Sequence, residues 1–347
     1  MRVLVVNNAA PFIRGGAEEF AEQLVLRLNA TMGVEAELLR IPFRWEPADC
    51  ILEQILLNRN LRLDQVDRVI GLKFPAYLIP HPSKTLWLLH QFRQAYDLYE
   101  SGTSHLCNHE SGERIVRLVR NADELCFREC RAIYTNSPVT KARLRKFNGF
   151  DATVLYPPLL DGERFIGGEY GSYFFAGGRV GPGKRQHLLV EAMRHVKSTV
   201  KLVVAGPLDH EDYGFRLREL VAQHDLADRV ELRFGFHSRH EIAKLVNGAL
   251  ACAYLPVDED SLGYVTMEAF SAGKSVITTY DSGGVLELVR HGETGFVTRA
   301  DPRSLAEQLD RLVGNQTTAI AMGHEAKLLL DSKALSWERS IARLLNV

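Results

Sequence analysis

The chain has 347 residues, of which 46% are apolar and 24% charged, and its formal net charge is −1. These values are typical of a globular protein of about two domains, and the balanced charge argues against nucleic acid as a partner. Five scattered cysteines favour reduced thiols and a cytoplasmic location. The first apolar run is too short for a signal peptide, and no apolar run approaches the roughly 20 residues of a membrane span.

Short apolar runs alternate with helical runs through the first half of the chain. Val3–Val6 predicts a strand, and Ala17–Asn29 predicts an amphipathic helix after the pair Gly15-Gly16. Three further strands are predicted at Arg68–Leu72, Thr85–Leu89 and Ala132–Thr135.

The second half repeats this alternation after the stretch 156–168, which is rich in proline and glycine. Its predicted strands are Tyr173–Ala176, Leu202–Ala205, Val230–Phe234, Ala249–Tyr254 and Val276–Thr279. Because strands that alternate with helices favour parallel sheets covered on both faces, we expect an α/β protein with one sheet in each half. The predicted domains are residues 1–165 and 166–332.

Polar residues follow two predicted strands of the first domain. Gly15-Gly16 is either a tight strand-to-helix turn or a close backbone contact with a ligand. His90 ends a strand at the sheet edge where α/β proteins bind ligands, although a packing role is the alternative. Arg93 lies in the polar loop that follows and is a candidate for shaping an acceptor site.

The segment 114–146 is basic, with nine lysines and arginines against three acidic residues. Arg114, Arg117 and Arg120 recur at helical spacing and are predicted to share a face. This face is either simply solvated, or it is a patch that meets anionic lipid or a phosphate-bearing acceptor.

A glycine-rich turn follows the first strand of the second domain, where Phe174–Lys184 reads FFAGGRVGPGK. Glycines let the backbone approach a ligand closely, Arg179 offers a fork to phosphate oxygens, and Lys184 adds a point charge. The turn nearly matches a P-loop, but Arg185 stands where the magnesium-binding serine or threonine belongs. A different phosphate site is therefore favoured over a P-loop or a plain turn.

The stretch Asp258–Thr279 places Asp260 and Glu268 eight positions apart, around a turn that leads into a predicted helix over Tyr264–Ala272. The free amides of a helix N-terminus suit an anion, and carboxylates suit hydroxyls. Together they predict a nucleotide-sugar site. The triplet Asp258–Asp260 is an alternative metal site, but two cations already match the diphosphate, so no metal is expected. The loop 105–109, with two histidines and a cysteine, lacks a fourth zinc ligand.

The chain resembles the retaining GT-B glycosyltransferases of family 4, which include bacterial mannosyltransferases. The resemblance spans almost the whole chain and is most specific from Asp260 to Phe296. The matching residues, in order, are Gly15-Gly16, His90, Asn136-Ser137, Tyr156-Pro157-Pro158, Gly178-Arg179, Lys184, Gly206, Asp260 and Glu268, Gly283-Gly284, and Glu287.

This resemblance implies two Rossmann-like domains that face a cleft, with a helix over 333–347 crossing back to the first. It assigns the diphosphate and the leaving group to Arg179 and Lys184, the transferred sugar to Asp260 with His90 near its C6 side, and the ribose to Glu268. The expected substrate-binding residues are Gly15, Gly16, Arg93, Gly178, Gly206, Ser261, Leu262, Gly263, Tyr264, Val265 and Glu268.

The expected function is a cytoplasmic retaining hexosyltransferase that needs no cofactor and docks peripherally at the inner face of the membrane. GDP-mannose is the favoured donor, ahead of UDP-sugars, and the acceptor is a glycan or a polyprenyl-linked intermediate of surface polysaccharide. The family usually has Glu where Asp260 stands, which makes the identity of the donor sugar the open point. A P-loop NTPase, a non-catalytic nucleotide-sugar-binding subunit and an epimerase are the alternatives.

Overall fold

The computed structural model describes residues 1–10 and 15–346. The chain divides into two compact units, Met1–Pro158 with Ser336–Val347, and Leu159–Leu335. The first unit thus ends before the predicted boundary at 165, and the chain returns to it at Ser336 rather than at 333. The segment 159–165 lies in the second unit, where Leu160 and Phe165 are buried and contact Arg239.

The first unit is built on a parallel sheet of six strands in the order β2-β1-β3-β4-β5-β6. Its strands are β1 (Arg2–Ala9), β2 (Glu35–Pro42), β3 (Arg68–Lys73), β4 (Lys84–His90), β5 (Ala132–Thr135) and β6 (Thr153–Val154). Its helices are α1 (Gly16–Asn29), α2 (Cys50–Asn60), α3 (Asp97–Glu100), α4 (Gly112–Glu129), α5 (Pro138–Asn148) and, from the end of the chain, α12 (Trp337–Leu345).

Helix α12 is part of the core of the first unit. The ring of Trp337 stacks on Phe20 of α1 with 5.7 Å between centroids, and Phe20 in turn meets Trp87 of β4 edge-on. Arg68 of β3 donates a hydrogen bond of 2.5 Å to the carbonyl of Leu344. The end of the chain is therefore held by aromatic packing and by a buried guanidinium.

The second unit repeats the architecture, with six parallel strands in the order β12-β11-β10-β7-β8-β9. Its strands are β7 (Tyr173–Gly177), β8 (Lys201–Gly206), β9 (Val230–Phe234), β10 (Ala251–Ala253), β11 (Val276–Thr279) and β12 (Gly295–Thr298). Its helices are α6 (Gln186–Ala192), α7 (Glu211–Gln223), α8 (Arg239–Asn247), α9 (Tyr264–Ser271), α10 (Pro302–Gly314) and α11 (Gln316–Ser332).

Two elements of the second unit are shorter than the sequence predicts. Helix α9 ends at Ser271 instead of Ala272. Strand β10 keeps only the three buried residues that pair with β7 and β11. The predicted α/β class with two parallel sheets is confirmed.

Among the described residues, no helix combines the length and the apolar character that crossing a membrane requires.

Candidate functional site

The predicted donor-site residues lie at the carboxyl edge of the sheet in the second unit. Strands β10, β7 and β8 are neighbours in that order, so the loops that leave them lie side by side. The loop after β10 carries Asp258–Gly263, the loop after β7 carries Gly178–Arg185, and the loop after β8 carries Asp209. Since α/β sheets bind ligands outside the carboxyl ends of their strands, this edge is where a ligand is expected.

Two glycines allow these loops to approach each other. Gly206 has a φ of +150°, and a Cβ atom there would lie 1.9 Å from the carbonyl oxygen of Gly178. Gly178 has a φ of +91°, and its own Cβ would meet Val265 at 3.0 Å. The structure therefore brings together Gly178, Gly206 and Val265, and side chains at the two glycines would force the loops apart.

Arg179 is half-exposed beside the end of β8. Its Nη1 atom lies 3.3 Å from Oδ1 of Asp209, and 46% of the side chain is accessible. A pair this exposed contributes little to stability, so the guanidinium can exchange its carboxylate partner for another anion.

Lys184 ends a short 3-10 helix, Pro182–Lys184, and its ammonium pairs with the carboxylate of Glu259. The same carboxylate accepts a hydrogen bond of 2.8 Å from the hydroxyl of Tyr254, whose ring lies 5.2 Å below the ammonium. Burial, reinforced by the charge of Glu259, raises the pKa of Tyr254 well above its usual value, so the phenol stays a donor. The carboxylate of Glu259, the middle residue of the acidic triplet, thus contacts both Lys184 and Tyr254.

Arg185, which occupies the position of a P-loop serine or threonine, is a structural clamp. Its Nη1 and Nη2 atoms each donate to Asp281 at 2.8 Å, a pairing that holds the pKa of Asp281 below its usual value. The guanidinium also donates to the carbonyls of Leu255 and Pro256 and to Thr279 at 2.8–2.9 Å. Arg185 therefore ties the glycine-rich turn to the ends of β10 and β11, which a magnesium-binding hydroxyl would not do.

The loop that carries Asp260 is fixed against Gly283-Gly284. A Cβ at Gly283 would lie 2.5 Å from the backbone of Glu259, and one at Gly284 would lie 2.6 Å from the carbonyl oxygen of Ser261. Asp260 is 8% exposed and Leu262 is 1% exposed, so Leu262 offers a ligand only backbone groups.

Helix α9 begins directly after this loop. Its N-cap is Gly263, with a φ of +76°, and no side chain caps the helix. The hydroxyl of Ser261 instead accepts from the amide of Gly263 at 3.2 Å. The N-cap residue of α9 thus contributes no side chain, and a helix N-terminus is suited to an anion.

Glu268 lies one turn into α9 and its side chain is 5% exposed. Its Oε1 atom accepts a hydrogen bond of 2.6 Å from Nη1 of Arg239, the first residue of α8. Sequence reasoning predicted Glu268 but missed Arg239, because nothing in the local sequence marks a partner 29 positions away.

The remaining predicted residues lie in the first unit. Gly15 is the extended N-cap of α1 and Gly16 its first residue, and His90 is the last residue of β4, with its Nδ1 atom 2.7 Å from the carbonyl of Gln91. Arg93 donates to Oδ2 of Asp97 at 2.6 and 2.8 Å, so its guanidinium is already held. Gly15 and Gly16 thus follow β1 in the chain, His90 ends β4, and Arg93 lies in the loop after β4.

Within the described part of the chain, no three histidine, cysteine, aspartate or glutamate side chains are placed together to hold a metal ion. This includes the loop 105–109.

Comparison with known proteins identifies the second unit. Residues 169–329 match the model of the family Glycosyl transferases group 1. The chain is 25% identical, over 93% of its own length and 91% of the other, to the GDP-mannose-dependent alpha-(1-6)-phosphatidylinositol monomannoside mannosyltransferase of Mycobacterium tuberculosis. It is 30% identical to human alpha-1,3/1,6-mannosyltransferase, over 36% of this chain and only 30% of the human protein.

Solved structures agree on the fold. Sucrose-phosphate synthase from Thermosynechococcus elongatus superposes with a TM-score of 0.78 at 16% identity, covering 99% of this chain and 97% of that one. HepE of Anabaena, solved with UDP and glucose, has a TM-score of 0.74 at 16% identity and covers 100% and 98%. Identities this low establish the shared GT-B fold alone. Residues 169–329 thus match the glycosyl transferases group 1 family, which confirms the predicted glycosyltransferase class for this domain, and the structural neighbours confirm the predicted GT-B fold.

Proposed function

We propose that the chain is a retaining hexosyltransferase that uses a nucleotide diphosphate sugar, with GDP-mannose as the favoured donor, and that needs neither a metal ion nor another cofactor. One observation carries the proposal. Two cations, the N-terminus of a helix and two buried carboxylates lie in the loops and the helix at one edge of the second sheet, inside the region that matches the glycosyltransferase family.

The proposed reaction follows from these groups. The bond between the sugar C1 and the diphosphate oxygen breaks, and its electron pair leaves on the diphosphate, where Arg179, Lys184 and the amides of α9 stabilise the charge. The acceptor hydroxyl oxygen bonds to C1 on the same face, and its proton passes to the departing phosphate. Asp260 holds the transferred sugar, and Glu268 holds the ribose.

The donor and the acceptor are proposed from the names of the similar proteins. Two of them are named mannosyltransferases, one of these GDP-mannose-dependent. Two others are named for capsular polysaccharide in Staphylococcus aureus and for colanic acid in Salmonella typhimurium. These names favour mannose as the sugar and a surface glycan or polyprenyl-linked glycan as the acceptor. The structure with UDP and glucose keeps UDP-sugars as the second choice.

A two-step experiment tests the proposal. Thermal unfolding is first measured with GDP-mannose, UDP-glucose and related donors, because a bound ligand raises the melting temperature with the logarithm of its excess over Kd. The best donor is then incubated with glycan and polyprenyl acceptors, and the anomeric configuration of the product is read by NMR. An α-linked product from an α-linked donor supports the proposal, and a β-linked product would disprove retention.

Three further measurements on the purified chain separate the alternatives. A non-catalytic subunit would bind a donor but transfer nothing as a purified chain. A P-loop NTPase would hydrolyse ATP or GTP in the presence of magnesium. The position of its magnesium-binding hydroxyl is occupied by Arg185, which is paired with Asp281, and this does not favour an NTPase. An epimerase would convert the donor without an acceptor.

We expect Asp209→Asn to tighten the binding of GDP or UDP by up to about fivefold. The diphosphate must replace the carboxylate of Asp209 on Arg179, and an exposed pair of this kind is worth about 0–1 kcal/mol. Calorimetric titration measures the change, with Asp212→Asn, an exposed aspartate of α7, as the control. Weaker binding would instead mean that Asp209 positions Arg179 for the ligand.

Contact with the membrane is proposed for the face of α4 within the basic segment. Several cations of that segment are already paired: Arg128 with Glu124, Lys141 with Asp151, and Lys146 with Glu100. Arg114 and Arg117 are exposed on α4 beside Leu118 and Leu125, which are 37% and 55% exposed. Exposed leucines among arginines suit an anionic bilayer surface, so the protein is proposed to be cytoplasmic and peripheral at the inner face of the membrane.

The variant R114E/R117E is expected to bind vesicles of anionic lipid at least about 30-fold more weakly, since each arginine near such a surface is worth about 1 kcal/mol and the introduced glutamates are repelled by it. Vesicle sedimentation measures the binding. R194E/K197E, which reverses two exposed cations of the second unit, serves as the control. If R114E/R117E and R194E/K197E bind the vesicles equally well, α4 is not the docking face.

A further inference from the structure

The position of Arg239 is unusual for its helix. Arg239 is the first residue of α8, where Ser238 and Glu241 form a complete capping box. A cation at a helix N-terminus is opposed by the helix dipole, so the arginine is not there to stabilise α8. Its role must lie in what its side chain contacts.

The guanidinium of Arg239 joins α9 to the first residues of the second unit. Nη1 donates to Glu268 at 2.6 Å, and Nη2 donates to the carbonyl of Leu160 at 2.9 Å. The carboxylate of Asp161 lies 4.0 Å from Nε, and the ring of Phe165 lies 5.0 Å from the guanidinium carbon. Contacts on several sides fix the orientation of the guanidinium. Through its hydrogen bond to Oε1, the guanidinium in turn fixes the orientation of the Glu268 carboxylate.

Glu268 depends on this partner because its side chain is 5% exposed. A buried carboxylate is costly unless a counter-charge and hydrogen bonds compensate for the lost water. Arg239 supplies the charge and engages Oε1. A carboxylate held at one oxygen by a fixed donor presents its other lone pairs in a defined direction, which is what recognition of two adjacent hydroxyls requires.

We propose that Arg239 is a positioning residue that makes Glu268 selective for a ribose with both of its hydroxyls. This inference rests on the proposed nucleotide-sugar donor and extends it to a residue that touches the ligand only through Glu268. Arg239 thereby determines the preference of the site for ribonucleotides over deoxyribonucleotides, whichever base the donor carries.

Calorimetric titration of GDP, UDP and their 2′-deoxy and 3′-deoxy analogues tests the inference. The wild type is expected to prefer the ribonucleotide by about tenfold or more, the usual effect of a hydrogen bond to a charged group. Arg239→Ala should weaken the ribonucleotide about tenfold and leave the deoxy analogues nearly unchanged, so that discrimination disappears. Arg239→Lys should recover part of it, and Glu268→Gln should match the alanine variant.

The control is His240→Ala, which changes the exposed neighbouring residue of α8 and should discriminate like the wild type. If Arg239→Ala does not fold, Arg239→Lys replaces it in the test, and its preference for ribonucleotides over deoxyribonucleotides is expected to be weaker than that of the wild type. Equal weakening of all nucleotides by either Arg239 variant, or unchanged discrimination, would overturn the inference and leave the proposed function intact. A wild-type chain that binds neither GDP nor UDP would overturn both.

Discussion

We expect kcat/KM for glycosyl transfer to fall by a factor on the order of 10²–10³ when either Arg179 or Lys184 is replaced by alanine. In the proposed reaction both cations stabilise charge that develops on the leaving diphosphate, and such groups act mainly in the transition state. Each is also paired in the structure, with Asp209 and Glu259 respectively. Removing a cation therefore leaves a carboxylate beside the leaving group, which adds repulsion to the lost attraction.

Double variants separate these two contributions. If repulsion matters, R179A/D209N and K184A/E259Q should recover part of the rate that the single variants lose, whereas a loss of attraction alone gives no recovery. Initial rates at varied donor concentration give kcat and KM, and thermal unfolding checks that each variant folds. Arg194→Ala, an exposed arginine of the same unit, is the control. Near-normal transfer by both Arg179→Ala and Lys184→Ala would refute the assignment of the diphosphate site.

The sequence predicts most strands but misses three that lie at sheet edges. Strands β5, β9 and β11 have the predicted bounds, and β9 is recognisable although it is an edge strand, because its sequence VELRF alternates apolar and charged residues. Strand β2 was missed because it forms one edge of its sheet, and its sequence EAELLRIP mixes charges with half-exposed apolar residues. Strand β6 has two residues, which is too short for a periodic signal. Strand β12 begins with Gly295, and glycine is uncommon in strands.

The candidate site shows a similar limit. The glycine-rich turn and the carboxylates of Asp260 and Glu268 are readable because each motif lies within one continuous stretch. The residues that pair with them, Asp209, Glu259 and Arg239, come mostly from other loops, and only the packing of parallel strands brings them near. The partner of Arg93 is the exception, since Asp97 stands four positions further on.

The basic face of α4 shows where simple helical spacing fails. Steps of three residues fall short of a full turn of 3.6 residues, so each step rotates the side chain by about 60°. Arg114 and Arg117 remain exposed, but Arg120 has turned toward the protein. Its Nε donates to the carbonyl of Ala95 at 2.9 Å, and its guanidinium lies 5.2 Å from the ring of Tyr96. Arg120 therefore belongs to the packing of the first unit.

The second large effect is expected at Asp260. Asp260→Asn should lower kcat/KM about 10- to 100-fold, because a hydrogen bond from a sugar hydroxyl to a charged acceptor is worth roughly 1.5–3 kcal/mol. Asp260 is 8% exposed, so little water is available to replace the lost interaction. Transfer rates measured with the preferred donor test this, and Asp212→Asn controls for the change in charge.

Asp260→Glu is the more informative variant, because it restores the residue that the resembling family usually carries. The loop cannot move back to accept the extra methylene, because its backbone already lies against Gly284. A Cβ atom at Gly284 would lie 3.1 Å from the carbonyl oxygen of Asp260 and 2.6 Å from that of Ser261. The longer carboxylate must therefore project further toward the sugar. We expect the ratio of kcat/KM between epimeric sugars on one nucleotide, such as GDP-mannose and GDP-glucose, to change several-fold while transfer persists. An unchanged ratio would show that Asp260 does not contact the part of the sugar that distinguishes the epimers, whereas complete loss of transfer would show that the shorter side chain sets the position of the sugar itself.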